Sequence, residues 1–324
     1  MNRRAGILAG FLLAAAAGVL LAPRVGLVSL SDLRGSSVLW QIRVPRTILA
    51  FLAGTGLSLA GMTFQAIFRN SLVEPFTLGV SSGAACGATV AIRLGWAFSL
   101  LGVSAVSLSA FAGAIASLVL VYGIAMAGRS FSTAILLLAG VAMSFFFWSL
   151  ILFIQYLSDF SGSFRILRWL MGGVETVGYE GVLDVLPFVL SGSAVILSYA
   201  RELNLLAMGE DLAASRGVSV TPVRALLFAA STLMVGGVVA LSGPIGFVGL
   251  VAPHITRLLI GTDHRYLAPA TALFGGMFLL ACDLVARLVI APAELPVGVL
   301  TALLGGPFFV WLLVWRPRSG EALA

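Results

Sequence analysis

Lysine is absent from this 324-residue sequence, so all 19 basic residues are arginines. The loop that cradles nucleotide phosphates in many ATPases, G-x-x-x-x-G-K-[ST], depends on a lysine. The chain therefore cannot energise itself through that motif. If a nucleotide drives its activity, we expect the motor to be another polypeptide.

Cysteine and histidine are scarce, with two of each. Cys86 and Cys282 lie in apolar stretches without C-x-x-C spacing, and His254 and His264 have no His or Cys partner at ligand spacing. We expect the cysteines to be small core residues. The sequence predicts neither a disulfide nor a metal site.

Charge is also sparse: charged residues make up 10% of the chain, hydrophobic residues make up 60%, and the mean hydropathy is +1.09. This composition excludes a soluble domain. Apolar runs of roughly 20 residues recur, which is about the length that crosses about 30 Å of hydrocarbon. The sequence predicts an all-α polytopic membrane protein. The arginines are scattered singly between the runs, so nucleic acid is not an expected partner.

Ten spans are predicted within one transmembrane domain that occupies residues 1–324. They cover residues 5–22, 47–68, 78–92, 100–127, 132–155, 182–199, 223–241, 245–260, 267–289 and 296–314. The first resembles a signal peptide, but it is long enough to span and further spans follow, which favours a retained helix. Span 78–92 is short, and Pro244 and Pro253 in the region of 245–260 favour a broken or re-entrant helix.

Ten spans place both termini on one side of the membrane. Arginines flank the two ends of the chain: Arg3, Arg4, Arg316 and Arg318. The positive-inside trend makes that side the cytoplasm, so we expect a multi-pass protein of the inner (plasma) membrane with both termini cytoplasmic.

Two segments between the spans are polar or amphipathic. Residues 200–224 hold six charged residues and lie on the side of the termini; the pattern from Glu210 to Arg216 is helical, and Gly217 is a natural stop. By itself this stretch fits either a docking element for a soluble partner or an ordinary interfacial loop. Residues 156–181 lie on the outer side, and the mixture of aromatic residues and arginines in 164–173 indicates an interfacial helix.

A faint internal repeat links two spans of opposite direction. Residues 53–61, AGTGLSLAG, and 235–243, VGGVVALSG, share two glycines and a leucine at matching positions. An inverted-topology repeat, which is characteristic of transporters, would produce this pattern.

Three longer stretches, together with the polar stretch, resemble a known family. They run from Trp40 to Gly87 (WQIRVPRTILAFLAG… to …ACG), from Leu241 to Ala270 (LSGPIGFVGLVAPHITRLLIG… to …APA) and from Asp283 to Leu313 (DLVARLVIAPAELPVGV… to …WLL). In this order they closely resemble the permease subunit of binding-protein-dependent ABC importers for iron chelates, haem and cobalamin, the FecCD/BtuC type.

The resemblance implies a type II ABC importer permease fold with ten helices. It implies a homodimer with the pathway along the dimer axis, two separate ATPase subunits that use the ATP, and a periplasmic or lipid-anchored substrate-binding protein. The chain itself would bind no cofactor and carry no catalytic residue. In such permeases the loop after the sixth span docks on the ATPase, which favours docking for residues 200–224.

The resemblance also implies roles for particular residues. The coupling motif matches Gly209, Glu210, Ala213 and Gly217, while Glu210 and Arg216 are suited to polar groups on the ATPase. The cytoplasmic gate matches Asn70, Leu72 and Thr133. Relatives carry N-P-L-A-x-P where this chain has NSLVEP, so Ser71 replaces a proline and frees one backbone N–H; Ala134 replaces a hydroxyl residue.

Outward-facing arginines of the family match Arg43 and Arg287, which would pair with acidic residues on the binding protein. Asp283 lies four residues before Arg287 and predicts an i,i+4 ion pair. For Arg43 and Arg46 the alternative is anchoring to lipid phosphates. Glu294, ahead of Pro296, is interpreted as a helix cap.

The cargo is open at the level of sequence. An iron(III)-siderophore chelate is the first expectation because it is the commonest cargo of such permeases. Cobalamin is the alternative, supported by the WQIRVPR, TDHR and AELPVG stretches, and haem is third. The competing class is an ion-coupled secondary transporter that needs no ATPase, but such proteins usually carry acidic or histidine residues inside their spans. The middles of these spans are nearly free of acid.

Overall fold

The computed structural model describes residues 3–26, 37–100, 102–127 and 133–314. Thirteen α-helices lie in this part of the chain, together with one short hairpin. They are α1 (Arg3–Leu21), α2 (Val44–Phe68), α3 (Val80–Leu94), α4 (Ala105–Ala127), α5 (Thr133–Tyr156), α6 (Phe160–Leu170), α7 (Glu180–Ser198), α8 (Ala200–Met208), α9 (Glu210–Ser215), α10 (Val220–Ser242), α11 (Val248–Ile260), α12 (His264–Leu288) and α13 (Val297–Val314). A π-helical turn, Leu39–Arg43, leads into α2.

Each of the ten predicted spans corresponds to one apolar helix. Seven of them are long and apolar enough to cross a membrane, and α3, α11 and α13 are shorter apolar helices. The start of the fourth span is wrong, because strands β1 (Ser99–Leu100) and β2 (Val103–Ser104) form an antiparallel hairpin before α4. Gly102, with φ of 87°, supplies the backbone conformation that this tight turn needs.

The centre of the bundle is built around α2 and α10, which are the most buried of the long helices. α2 packs against α7, α10, α11 and α12. A Cβ added to Gly61 of α2 would lie 2.0 Å from the carbonyl oxygen of Gly249 in α11. Only glycine at this crossing permits the two backbones to touch, which is a common device between membrane helices.

Two non-helical segments enter the bundle instead of remaining at its surface. In the segment after α2, the Phe76 carbonyl accepts a hydrogen bond from Ser144 Oγ (3.2 Å) and the Gly79 carbonyl accepts one from Ser117 Oγ (2.8 Å). These serines lie in the middle portions of α5 and α4. α3 therefore begins inside the bundle, which explains its 15 residues.

The second such segment precedes α11, whose first residues contact the interior of α2. At about 1.5 Å per residue, the 13 residues of α11 extend about 20 Å, too short to cross the bilayer alone. The course of the chain is the same after α2 and after α10: a long helix, a non-helical segment and a short helix that starts inside. This correspondence agrees with the faint repeat in the sequence.

Candidate transport and docking sites

Two short helices, α8 and α9, occupy the polar stretch that follows α7. The predicted helix from residue 210 is present as Glu210–Ser215, and Gly217 has φ of 83°, as expected for a left-handed helix stop. Gly209 separates the two helices, with φ of 129°. The sequence pattern therefore located this element within one or two residues.

Of the two acidic residues of α9, Glu210 contacts the bundle and Asp211 is exposed. Glu210 Oε1 accepts a hydrogen bond and ion pair from Arg224 Nη1 of α10, and the arginine is almost completely buried. Ala213 is fully buried, and its carbonyl accepts a hydrogen bond from the Val218 N–H at 3.0 Å. Glu210 and Ala213 thus fix α9 to the bundle, whereas Arg216 and Gly217 are exposed.

We expect Glu210→Ala to weaken ATPase-coupled uptake by roughly fivefold to tenfold, because it removes the charge-assisted bond that holds α9 against α10. Asp211→Ala is the matched control, since Asp211 is an exposed acid on the same helix. Uptake per ATP hydrolysed in reconstituted vesicles measures the effect. If Glu210→Ala and Asp211→Ala lose uptake equally, the acidic charge of α9 matters and the bond between Glu210 and Arg224 does not.

The gate residues predicted after α2 form a closed turn. The Asn70 N–H donates to the Gln65 carbonyl at 3.1 Å, and Asn70 Oδ1 accepts from the Leu72 N–H at 3.0 Å. The Asn70 carbonyl also accepts from the Val73 N–H at 3.3 Å, so side-chain and backbone hydrogen bonds together stabilise the turn. Leu72 is exposed. Thr133 begins α5, but its side chain lies outside the described residues.

Glu74 follows this turn and did not emerge from the sequence as a site residue. Its Oε2 accepts a hydrogen bond from the Phe247 N–H at 3.2 Å. Phe247 is the N-cap residue of α11, where orphan N–H groups and the helix dipole favour an anion. Glu74 therefore ties the gate segment to the start of a broken helix. In the sequence, acids were looked for in the middles of the predicted spans. Glu74 was missed because it lies on the non-helical segment between α2 and α3.

A charged cluster joins the start of α2 to the end of α12 and to Glu294. Asp283 is fully buried and pairs with Arg46 Nη2 at 2.9 Å and with Arg287 Nη2 at 3.1 Å. The expected i,i+4 pair of Asp283 and Arg287 is confirmed. The partner that the sequence did not reveal is Arg46, which also bonds Glu294 Oε2 at 2.6 Å. The capping role expected of Glu294 stays a prediction; the contact that the structure shows for its carboxylate is this one with Arg46.

Of the two arginines expected to dock a binding protein, Arg287 belongs to this cluster and Arg43 lies near it, and both are largely buried. Arg43 is 9% exposed, and its Nη1 donates to the Pro23 carbonyl at 3.4 Å. The Arg287 side chain is 11% exposed. Their docking role stays a prediction, and in this single chain each arginine presents only a small part of its guanidinium group to a partner.

No group of three or more His, Cys, Asp or Glu side chains within the described ranges is arranged to hold a metal ion. Cys86 and Cys282 are both buried and unbridged. A cavity of about 1220 Å³ opens beside the charged cluster, with Arg46 and Glu294 in its wall and the aromatic residues Trp96, Phe164 and Trp169 around it.

Comparison with known proteins identifies relatives along nearly the whole chain. The model of the FecCD transport family matches residues 5–315. The chain is 41% identical over 299 residues to an uncharacterized ABC transporter permease protein, YvrB, of Bacillus subtilis, covering 92% of this chain and 84% of that protein. It is 44% identical over 289 residues to the vitamin B12 import system permease protein BtuC of Escherichia coli, covering 88% and 86%.

An archaeal relative and two solved structures extend the comparison. The cobalamin import system permease protein BtuC of Halobacterium salinarum is 42% identical over 290 residues, covering 88% of this chain and 75% of that one. An inward-facing structure of an ABC transporter classed as metal-chelate type superposes with a TM-score of 0.88 at 37% identity, covering 96% and 99%. PsaBC from Streptococcus pneumoniae shares the fold, with a TM-score of 0.60 at 18% identity over 89% and 95%.

Proposed function

Since the chain belongs to the FecCD transport family and is an ABC importer permease of the FecCD/BtuC type, we propose that it moves a metal chelate through a homodimer. Two separate ATPase subunits drive the cycle, and a substrate-binding protein delivers the cargo. The family match over residues 5–315 carries this proposal. The exposed residues of α9 and of the turn that follows it support ATPase docking at this end of the bundle.

For the cargo we propose cobalamin first. The relatives whose names state a cargo transport cobalamin or vitamin B12, and they are 42–44% identical over 88% of this chain. An iron(III)-siderophore chelate is the second candidate. The metal-chelate class of the structural neighbour, at 37% identity over 96% of the chain, is compatible with either cargo.

Competition for uptake separates these cargoes. In vesicles that hold the chain, its ATPase and its binding protein, we expect labelled cobalamin to accumulate and excess unlabelled cobalamin to abolish the signal. A ferric siderophore in the same excess should leave uptake unchanged. If the siderophore accumulates and cobalamin does not, the order of the two candidates is reversed while the permease function stands.

If the chain forms the proposed homodimer, we expect its gate residues to lie close to the dimer axis. Cysteines at Asn70 or Leu72, in a chain without Cys86 and Cys282, should crosslink to their symmetry mates with a yield that depends on nucleotide. A cysteine at the exposed residue Arg201 of α8 is the control and should not respond. Failure of Asn70 and Leu72 to crosslink in every nucleotide state would place the gate elsewhere.

A further inference from the structure

A polar cavity of about 450 Å³ lies at the end of the bundle that carries α8 and α9. Its size falls in the range of small-molecule sites, roughly 300–1,000 Å³. Three arginines from three different elements line it: Arg4 of α1, Arg69 at the C-terminal end of α2, and Arg257 of α11. One acid, Asp263, also lines it, so the wall carries an excess of positive charge.

The carboxylate of Asp263 already has partners within the protein. Asp263 Oδ1 accepts hydrogen bonds from Asn204 Nδ2 at 2.8 Å and from the Arg265 N–H at 3.1 Å, and its Oδ2 lies 3.9 Å from Arg4 Nη1. Burial raises the pKa of Asp263, but these hydrogen bonds and the charges of Arg265 and Arg4 outweigh it and lower the pKa below its usual value. Arg257 Nη2 bonds the neutral amide oxygen of Gln65 at 3.0 Å. The positive charge of the wall is therefore only partly compensated.

A buried histidine in the wall has an unused nitrogen. His264 is 5% exposed, and its Nδ1 lies 2.7 Å from Asn204 Oδ1. Because the amide nitrogen of Asn204 points to Asp263, its oxygen faces the ring, so His264 Nδ1 carries the proton and Nε2 is an acceptor. Nε2 has no hydrogen-bond partner among the described residues. The nitrogen itself is almost completely buried, so it is an unsatisfied acceptor within the wall and not a surface that a ligand in the cavity contacts.

We propose that this cavity binds the headgroup of an anionic phospholipid of the phosphatidylglycerol type. The arginines that line the cavity receive the phosphate of the headgroup. Basic pockets between membrane helices commonly hold such headgroups. A lipid is favoured over a soluble phosphate because α1, which supplies Arg4, is mostly exposed along an apolar length that would lie in the bilayer.

The cavity lies beside α8 and α9, so a lipid bound in it would affect the position of these helices. Asn204, Ala207 and Met208 of α8 also line it, and Gly209 follows them directly at the start of the coupling helix α9. A bound headgroup therefore holds α8 against the ends of α1 and α2. Occupancy of the site would stabilise the orientation in which α9 is presented to an ATPase.

Lipid retention by the purified full-length chain tests the site. Native mass spectrometry after incubation with phosphatidylglycerol should show a retained lipid that Arg4→Gln with Arg69→Gln weakens roughly thirtyfold, since each arginine near an anionic headgroup contributes a factor of about five. Arg201→Gln with Arg216→Gln is the matched control. It removes two exposed arginines from the same end of the bundle, and neither side chain lines the cavity. Equal losses in both pairs would overturn the proposal.

Two further ligands test the charge and the source of the headgroup. Phosphatidylcholine carries the same phosphate with a compensating positive charge, and we expect it to be retained less well than phosphatidylglycerol. Soluble glycerol phosphate at millimolar concentration should not displace the lipid. Equal retention of the two lipids would overturn the proposal, and displacement by glycerol phosphate would make the site one for a soluble phosphate.

Discussion

Replacing Asp283 by alanine is expected to destabilise the folded chain by about 3–5 kcal/mol, a large effect for a single polar substitution. Asp283 is fully buried and neutralises two arginines, Arg46 and Arg287, whose side chains are 8% and 11% exposed. When the Asp283 side chain is truncated, the two guanidinium groups remain buried and keep their desolvation cost. The carboxylate that offset this cost is gone. Glu294 contacts only one of them.

The matched control is Glu175→Ala, which breaks an ion pair between an arginine and an acid at the surface. Arg168 and Glu175 are 3.4 Å apart and more than half exposed, so the loss should be about 0–1 kcal/mol. Thermal unfolding of the detergent-solubilised chain, followed by the fluorescence of its tryptophans, measures both variants. If the unfolding temperatures of Asp283→Ala and Glu175→Ala fall equally, the charged cluster does not hold α2 to α12.

Replacing Gly61 by valine is expected to prevent α2 and α11 from packing. The first added carbon would lie 2.0 Å from the Gly249 carbonyl oxygen, whereas ordinary contact requires about 3.4 Å or more, so the two backbones must separate. Overpacking of this kind costs typically about 1–3 kcal/mol and more when backbone atoms collide. Because α11 begins beside the gate segment, its displacement should also abolish transport.

Gly10→Val in α1 is the control, since a Cβ at Gly10 meets no heavy atom of the described residues within 4 Å. We expect normal folded yield and uptake from this variant, and little folded protein from Gly61→Val. Size-exclusion profiles of the solubilised variants give the folded fraction directly. A normal profile for Gly61→Val would contradict the close crossing of α2 and α11.

The helices were predictable because the length of an apolar run is a local property. The same holds for the Asp283–Arg287 pair and for the helix that starts at Glu210, whose signals lie within one turn. The contact of Arg46 with Asp283 joins residues 237 positions apart, and no spacing rule reports it. The inward direction of Glu210 likewise depends on Arg224 of another helix. The hairpin was missed because Leu100 and Val103 continue the apolar pattern of the helix that follows.

Glu74 bears on the competing class of transporter. An acid within a membrane bundle is typical of ion-coupled carriers, and this one was not visible as part of a span. In the structure its carboxylate caps the N-terminal end of α11, which provides a structural reason for its presence. Membership of the FecCD family does not depend on Glu74, and it favours ATP-driven uptake over ion-coupled uptake. ATP-driven uptake is therefore the central claim.

The energy source of uptake tests that claim most directly. In proteoliposomes that contain the chain with its ATPase and binding protein, cobalamin uptake should require ATP on the ATPase side and proceed without any ion gradient. Vesicles with the chain alone should take up nothing when a proton or sodium gradient is imposed. Gradient-driven uptake by the chain alone, unchanged when ATP and the ATPase are left out, would contradict the account.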